Sequence, residues 1–200
     1  MQLGDALVGL QSQLGPPRGD RPRFFALAQV ALVLAAPPRG VELLIVERAR
    51  RAGDRWSGHL AFPGGLAARG DRGPDATARR ETLEETGLDL ARDARLLGAL
   101  SRRFALGHRG GRPLFIEPFV YGVGGRPVPR LNAELHAAYF FPLAELAARR
   151  KSLSRWARTV GYFRPDFGHV VQGRRLWGLS LAMADELCSA WNKSDLILDG

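Results

Sequence analysis

The sequence predicts one layered α/β domain, and three observations lead to this class. Apolar runs with the character of strands and segments with a helical apolar rhythm alternate irregularly along the chain, as in a single layered domain. The 200 residues, of which 46% are hydrophobic and 24% charged, can bury one core without needing a second domain. No internal repeat or low-complexity tract divides the chain.

The N-terminal part is predicted to contain a helix, a linker and three strands. An apolar rhythm indicates a helix over Leu3–Leu14, and the Gly- and Pro-rich stretch Gly15–Pro22 is typical of a linker. Phe24–Ala35 and Val41–Ala49 are apolar runs separated by proline and glycine, which predicts two strands paired around a turn. His59–Phe62 is predicted to be a short strand that stops at a turn formed by Pro63-Gly64-Gly65.

A helix follows, with clear signals at both ends. Pro74 suits the first helical position, and Gly87 suits the residue after the last turn. The remaining elements are predicted as strands over Ala94–Phe104, Leu114–Gly122 and Ala137–Phe141, a helix over Pro142–Arg150, a hairpin over Gly168–Leu176 and a helix over Trp177–Trp191.

Charge and cysteine content indicate which ligands and which cell compartment to expect. The formal charge is +9, and only two of the 29 basic residues are lysines. Arginine offers a planar fork that suits phosphate, although a GC-rich codon bias explains this composition equally well. No basic run interleaved with aromatic residues points to nucleic acid. The single cysteine, Cys188, the acidic Asp5 near the start and the lack of a long apolar stretch predict a cytoplasmic protein without a membrane anchor.

Three glutamates on the second predicted helix carry the strongest functional signal. With about 100° per residue, Glu84 and Glu85 lie roughly 60° and 40° to either side of Glu81, so the three carboxylates share one face. Such oxygen ligands suit a hard cation such as Mg²⁺. A solvated helix face is the alternative, but the like-charged pair of Glu81 and Glu85 costs about 0.2–0.5 kcal/mol without an ion. The upstream Gly64-Gly65 pair, which lets backbone approach a ligand closely, favours a phosphate and metal site.

The segment Arg80–Leu88 reads R-E-T-L-E-E-T-G-L. It matches the second half of the box G-x5-E-x7-R-E-U-x-E-E-x-G-U, where U is bulky and apolar, except at Thr82. Asp71 stands at the position of the first box glutamate, and the interval from Gly65 to Arg80 is one residue longer than in the box. On these residues the chain resembles the Nudix hydrolases. The resemblance implies an α/β/α sandwich with a mixed β-sheet in a single domain.

Further residues resemble the coenzyme A pyrophosphatase branch of that family. They are Phe62-Pro63-Gly64-Gly65, the longer loop containing Asp71, Asn132-Ala133-Glu134, Phe141-Pro142-Leu143 and Leu176–Ser180. Asp54–Phe62 and Ala68 depart from the pattern of the branch. The resemblance to the family therefore implies Mg²⁺- or Mn²⁺-dependent hydrolysis of a diphosphate bond. The resemblance to the branch implies that the substrate is coenzyme A or acyl-CoA, cleaved to 3′,5′-ADP and (acyl-)phosphopantetheine.

The resemblance also implies roles for individual residues. Glu81, Glu84 and Glu85 are expected to bind the metal, with Asp71 as a further contributor, and Arg80 is expected to orient a box carboxylate. Glu134, in the Asn-x-Glu context, is a candidate general base, and Glu81 is the alternative. Position in the sequence adds further candidates: Gly64, Gly65, His59, Arg109 and Arg112 are expected to contact substrate, the two arginines through an outer phosphate. A structural histidine and a solvated arginine loop are the alternatives, and Glu117, in the middle of a strand, is expected to face outward.

These expectations divide the chain into an N-terminal helix and linker (1–22), a Nudix hydrolase domain (23–192) and a C-terminal tail (193–200). The expected partner is a small-molecule diphosphate substrate, with neither membrane nor nucleic acid, and a homodimer stays open. Two alternatives also stay open. One is hydrolysis of a nucleotide sugar, a dinucleotide or an oxidised nucleotide, and the other is a non-catalytic module of the same fold that binds a ligand or RNA.

Overall fold

The computed structural model describes residues 3–20, 25–38, 40–53, 56–106, 113–152 and 169–198. The helices and strands in these ranges are α1 (Leu3–Gln11), β1 (Ala26–Ala36), β2 (Glu42–Arg48), β3 (Leu60–Ala61), β4 (Gly64–Leu66), α2 (Ala76–Thr86), α3 (Leu90–Asp93), β5 (Ala94–Ala99), β6 (Arg103–Leu106), β7 (Pro113–Gly124), β8 (Leu135–Pro142), α4 (Leu143–Ser152), β9 (His169–Val171), β10 (Arg174–Leu176) and α5 (Gly178–Leu198).

Strand β1 lies at the centre of a mixed eight-stranded sheet. It pairs in parallel with β7 along its whole length and antiparallel with β2 and β4. On one side β2 continues the sheet to β3 and β8, and on the other β7 continues it to β5 and β6. β9 and β10 form a separate antiparallel hairpin. The predicted hairpin of β1 and β2 is confirmed.

Helices cover both faces of this sheet because the side chains of its central strands alternate in direction. Leu32 and Leu34 of β1 belong to one core, which α1, α4 and α5 close. Ala31 and Val33 belong to a second core, closed by α2 and α3. The predicted α/β/α sandwich with a mixed sheet is thereby confirmed. No helix in the described ranges is long and apolar enough to cross a membrane.

Two elements differ from the sequence prediction for identifiable reasons. The single strand predicted over Ala94–Phe104 is two strands, because Pro118 on β7 has no N–H to donate to the ladder and only its carbonyl accepts a bond, from Leu100. Helix α5 continues to Leu198 instead of ending at Trp191. The polar run that follows Trp191 contains neither glycine nor proline, so nothing in it stops a helix, and most of the segment assigned to a tail is helical.

The start of α2 is held by Gln29, a buried residue of the central strand. Its Oε1 accepts hydrogen bonds from the backbone N–H groups of Thr77 and Ala78, and its Nε2 donates to the carbonyl of Pro74. Asp75 occupies the N-cap position but its side chain makes no capping bond. Gln29 of the strand thus caps the helix in place of Asp75, and the helix begins at Ala76 instead of at Pro74.

The end of α2 follows the prediction. Gly87 has φ +70°, in the left-handed region that glycine adopts without strain, and its N–H donates to the carbonyl of Leu83 at 2.9 Å. Short-range signals were sufficient at this end because the stop needs only the helix and one glycine.

Replacing Gln29 with alanine should lower the free energy of unfolding by about 1–2 kcal/mol, because two helix N–H groups and the Pro74 carbonyl lose a buried partner. Urea denaturation of the purified protein measures the effect. Gln13→Ala is the matched control, since the amide of Gln13 donates to the adjacent, exposed Ser12 hydroxyl. Equal stability losses in the two variants would contradict the capping role.

Candidate active site

Strand β4 brings its backbone directly against the carboxylates of α2. The predicted turn at Gly64-Gly65 is in fact the start of this strand, which pairs with Ala28–Val30 of β1. The N–H of Gly64 donates to Oε2 of Glu85 at 3.0 Å, and a Cβ placed on Gly65 would lie 2.5 Å from the carboxyl carbon of Glu81. The two glycines therefore contact two of the three predicted glutamates, as the sequence predicted in outline.

The three glutamates lie at different depths on the helix face. Glu85 is 4% exposed, the side chain of Glu81 is 18% exposed and that of Glu84 is 54% exposed. In the ranges that the structure describes, no group of three or more His, Cys, Asp or Glu side chains is already arranged as a metal cage. The carboxylates of Glu81, Glu84 and Glu85, here called the glutamate row, thus extend from the interior to the surface. Water or substrate oxygens would complete the coordination shell of a metal bound there.

Arg80 links the outer part of this row to the preceding loop. Its guanidinium contacts Glu81 at 2.7 Å and Glu84 at 3.1 Å, and it forms a two-point ion pair with Asp71. Its Nη2 also donates to the carbonyl of Leu66 on β4. Arg80 therefore fixes the helix, the loop and the glycine strand relative to one another.

Asp71 is engaged by the protein itself. Besides Arg80, its carboxylate accepts from the Thr77 hydroxyl at 2.7 Å and from the N–H of Ala68 at 2.8 Å. These bonds, with the bond from Arg80 as the largest cause, hold the pKa of Asp71 well below its ordinary value. Its oxygens thus position Arg80 in the described structure, and a contribution of Asp71 to a metal stays a prediction.

Glu85 and Glu81, in contrast to Asp71, have raised pKa values. Burial, with the charges of Glu81 and Glu134, raises the pKa of Glu85 from 4.5 to about 7, against the opposing effects of the Gly64 N–H and Arg48. Burial also raises the pKa of Glu81, although Arg80 opposes the shift. One buried and one partly buried acid, with Glu134 as a further acid nearby, offer hard oxygen donors that fit a divalent cation such as Mg²⁺.

Glu134 lies near these acids, because its charge acts on both Glu81 and Glu85. The loop that carries it docks on the end of α2, where the N–H of Asn132 donates to the carbonyl of Glu85 at 3.0 Å. The side chain of Asn132 in turn accepts from the N–H of Glu134 at 2.8 Å. The Asn-x-Glu context is therefore a loop that positions an exposed acid beside the glutamate row.

Arg48 is a site residue that the sequence did not single out. It ends β2, and its charge lowers the pKa of Glu85. Its N–H donates to the carbonyl of His59, which connects the glutamate row to the loop before β3. A charged residue at the end of an otherwise apolar strand was the available signal.

The remaining predicted substrate contacts are His59, Arg109 and Arg112. His59 packs edge-on against Trp56 and Trp177, with ring centroids 5.6 and 5.2 Å away, so its predicted substrate contact has no support in these packing contacts. Arg109 and Arg112 lie outside the described residues.

Glu117 does not face solvent, and the prediction of an outward side chain is wrong. It is 1% exposed, because Arg102 pairs with its Oε1 at 3.1 Å and Gln29 lies beside its other oxygen. The strand period alone could not show this pairing, since Arg102 comes from a separate segment of the chain.

Comparison with known proteins gives a family match and a shared fold. The NUDIX domain matches residues 26–160. The uncharacterized protein C14C4.10c of Schizosaccharomyces pombe is 41% identical over 107 residues, 52% of this chain and 32% of that protein, so the chain spans about a third of this relative's length. A C. elegans Ap4A hydrolase binary complex is 14% identical with a TM-score of 0.51 over 88% of this chain and 98% of that one, which shows the fold. RenU, a Nudix hydrolase from M. smegmatis, is 18% identical with a TM-score of 0.49 over 68% and 81% of the two chains.

Gly65→Ala should weaken Mg²⁺ binding by about tenfold or more, because the added Cβ displaces the carboxylate of Glu81. Stability should change little, since the displaced group is the far end of a flexible side chain. Isothermal titration with MgCl₂ and urea denaturation measure the two effects. Gly70→Ala is the control, because a Cβ there meets nothing within 4 Å. An unchanged Mg²⁺ affinity in Gly65→Ala would show that Glu81 is not a ligand.

The raised pKa of Glu85 makes stability depend on pH. The folded state holds this proton more tightly than the unfolded state, so the contribution of Glu85 to stability is lost as pH rises from about 4.5 through about 7. Without divalent cation, the wild type should lose on the order of 2 kcal/mol relative to Glu85→Gln between about pH 4.5 and 8, and Mg²⁺ should reduce this loss. Denaturation at each pH measures it. Parallel pH curves for the two proteins would refute the buried, uncompensated acid.

Proposed function

The chain belongs to the NUDIX domain family, and from this premise we propose that it is a Mg²⁺- or Mn²⁺-dependent hydrolase of a diphosphate bond in a nucleoside-diphosphate derivative. One observation carries the proposal. Glu81 and Glu85 meet the backbone of Gly64 and Gly65 with no side chain between them, and the pKa of both acids stays raised although Arg80 pairs with Glu81 and the charge of Arg48 acts on Glu85. A divalent cation held by these carboxylates would add positive charge beside them and beside the phosphates of a substrate.

In this proposal Glu81, Glu84 and Glu85 hold the cation. When bound, Mg²⁺ supplies charge neutralisation at the phosphate oxygens and lowers the pKa of a coordinated water. Arg80 contacts Glu81 and Glu84 and so keeps the two outer carboxylates oriented. A side chain on Gly65 would displace the carboxylate of Glu81, and one on Gly64 would collide with β1, so both glycines are needed for β4 to lie against the carboxylates.

The chemistry is a hydrolysis in which water is the only co-substrate. A new bond forms between the water oxygen and one phosphorus, and the bond from that phosphorus to the bridging oxygen breaks. The leaving phosphate keeps the bridging oxygen. Glu134 accepts the proton from the attacking water, because its side chain is exposed and its charge acts on the nearby Glu81 and Glu85. Most of the rate enhancement in this scheme comes from positioning and electrostatics.

For the substrate we propose coenzyme A or acyl-CoA, cleaved to 3′,5′-ADP and (acyl-)phosphopantetheine. The support is the Phe-Pro-Gly-Gly sequence that enters β4, the lengthened loop in which Asp71 anchors Arg80, and the Asn-x-Glu loop that docks on α2. With Cys188 as its single cysteine the chain can form no internal disulfide, which suits the reducing cytoplasm proposed as the location.

Glu84→Gln and Glu85→Gln should abolish Mg²⁺-dependent hydrolysis with little loss of stability, since each removes a clustered charge. The measurement is product formation from coenzyme A, NADH, ADP-ribose, nucleotide sugars and nucleoside triphosphates, with products identified by mass spectrometry. Glu145→Gln, an exposed glutamate paired with Arg149 on α4, is the control.

The outcomes separate the levels of the proposal. Hydrolysis of coenzyme A that depends on Glu84 and Glu85 supports it in full, and hydrolysis of another diphosphate corrects the substrate alone. Wild-type rates in both glutamine variants would eliminate the metal site. No turnover of any diphosphate with Mg²⁺ or Mn²⁺, together with retained ligand binding in Glu84→Gln, would favour the non-catalytic binding module.

A further inference from the structure

The pairing of β4 with β1 determines which backbone groups of β4 point away from the sheet. The N–H of Ala67 donates to the carbonyl of Leu27 at 2.8 Å, so these two residues form a hydrogen-bonded pair of the antiparallel ladder. Such pairs alternate with pairs that exchange no hydrogen bonds, and Leu66 opposite Ala28 is the next pair along the ladder. The N–H and carbonyl of Leu66 therefore point away from β1, and by the same alternation so do those of Gly64.

Two of these four outward groups are already bonded to residues of the site. The N–H of Gly64 donates to Oε2 of Glu85 at 3.0 Å, and the carbonyl of Leu66 accepts from Nη2 of Arg80 at 3.2 Å. These bonds hold the outer edge of β4 against the glutamate row. The other two groups are the carbonyl of Gly64 and the N–H of Leu66, and of these only the N–H can donate to an anion.

The N–H of Leu66 has no acceptor in the part of the chain that the structure describes. Leu66 is 61% exposed, so this edge of β4 is open to a ligand. Its nitrogen is bonded to the carbonyl carbon of Gly65, and the carboxylate of Glu81 lies against Gly65. A phosphate that binds a cation held by Glu81 would therefore lie next to this donor.

Arg80 lies beside the same edge, but its guanidinium is engaged by the protein. Nε and Nη2 donate to Asp71, Nη2 also donates to the carbonyl of Leu66, and Nη1 contacts Glu81 and Glu84. A guanidinium has five N–H groups, and these five contacts occupy all three of its nitrogens. Arg80 would have to give up a contact to bind a phosphate, whereas the backbone N–H of Leu66 is already in place.

We propose that the backbone N–H of Leu66 donates a hydrogen bond to a phosphate oxygen of the substrate, beside the cation proposed at Glu81 and Glu85. This inference rests on the proposed function, because it adds a binding group to the same diphosphate site. A hydrogen bond to a charged acceptor is roughly twice as strong as one between neutral groups. A donor fixed in a paired strand also needs no reorganisation when the phosphate binds.

The test removes this one N–H. Replacing Leu66 with its α-hydroxy acid, leucic acid, turns the peptide N–H into an ester oxygen without adding bulk. Leu66→Pro removes the same donor, and proline is tolerated at an edge position whose N–H faces outward. Each change should weaken the affinity for methylenediphosphonate, in the presence of Mg²⁺, by roughly tenfold or more in isothermal titration. Leu66→Ala keeps the N–H and truncates the side chain, so it should bind this ligand like the wild type.

Two further measurements separate this role from a structural one. The affinity for Mg²⁺ alone should be the same in the ester variant and the wild type, because the donor serves the phosphate and not the carboxylate of Glu81. Urea denaturation should show that the ester variant remains folded, since the ladder between β4 and β1 does not use this N–H. If Leu66→Pro alone fails to fold, the ester variant decides the result.

Other outcomes overturn the inference. These are an unchanged affinity for methylenediphosphonate in the ester variant, an equal loss in Leu66→Ala, an equal loss of affinity for Mg²⁺ alone, an ester variant that does not fold, or no binding of methylenediphosphonate by the wild type.

Hydrolysis assays on the same proteins keep the two proposals apart. If the phosphate contact is wrong and the function is right, the ester variant cleaves substrate with the KM of the wild type, and activity still depends on Glu84 and Glu85. If the function is wrong, affinity for methylenediphosphonate still falls in the ester variant while the wild type cleaves no diphosphate.

Discussion

The contact between the backbone of β4 and the carboxylates of α2 constrains the rest of the structure. It requires two residues without side chains, Gly64 and Gly65, and a strand held rigidly enough to keep them against the helix. Strand β1 meets both needs through one residue. The backbone of Gln29 is the strand partner of Gly65, and its side chain caps α2. Gln29 thus sets the distance from strand to helix, because its backbone lies in the sheet and its side chain bonds to the helix.

Charge is distributed asymmetrically around this contact. On the solvent side Arg80 is paired with Asp71 and reaches Glu81 and Glu84, so the outer acids have a cation beside them. On the inner side Glu85 is buried with its main hydrogen bond coming from a backbone N–H, and the nearby acids add repulsion. Burying an acid among other acids costs folding free energy, and the Gly64 N–H and Arg48 offset this cost only in part, since the pKa of Glu85 stays raised.

Local sequence signals predicted the parts of the structure that depend on near neighbours. The spacing of the three glutamates, the stop at Gly87 and the alternation in β1 each follow from helix or strand geometry over a few residues. Predictions failed where a distant segment decides. Gln29, which is 48 residues from Thr77, moves the helix start away from Pro74, and Arg102 draws Glu117 into the interior. The division of the predicted strand into β5 and β6 opposite Pro118 could be recognised only once the pairing of β7 with both strands was known.

The parallel pairing of β1 with β7 has a consequence for how the protein is made. Residues 26–36 can pair in the centre of the sheet only after residues 113–124 have been synthesised, and α2 is synthesised between these two strands. Contacts so far apart in sequence carry a high loop-closure cost and slow folding. During that interval the glutamate helix has neither its strand cap nor its glycine partner in a finished sheet. We therefore expect a nascent chain shorter than about 124 residues to lack the site, and a chaperone that shields apolar strands would act in this window.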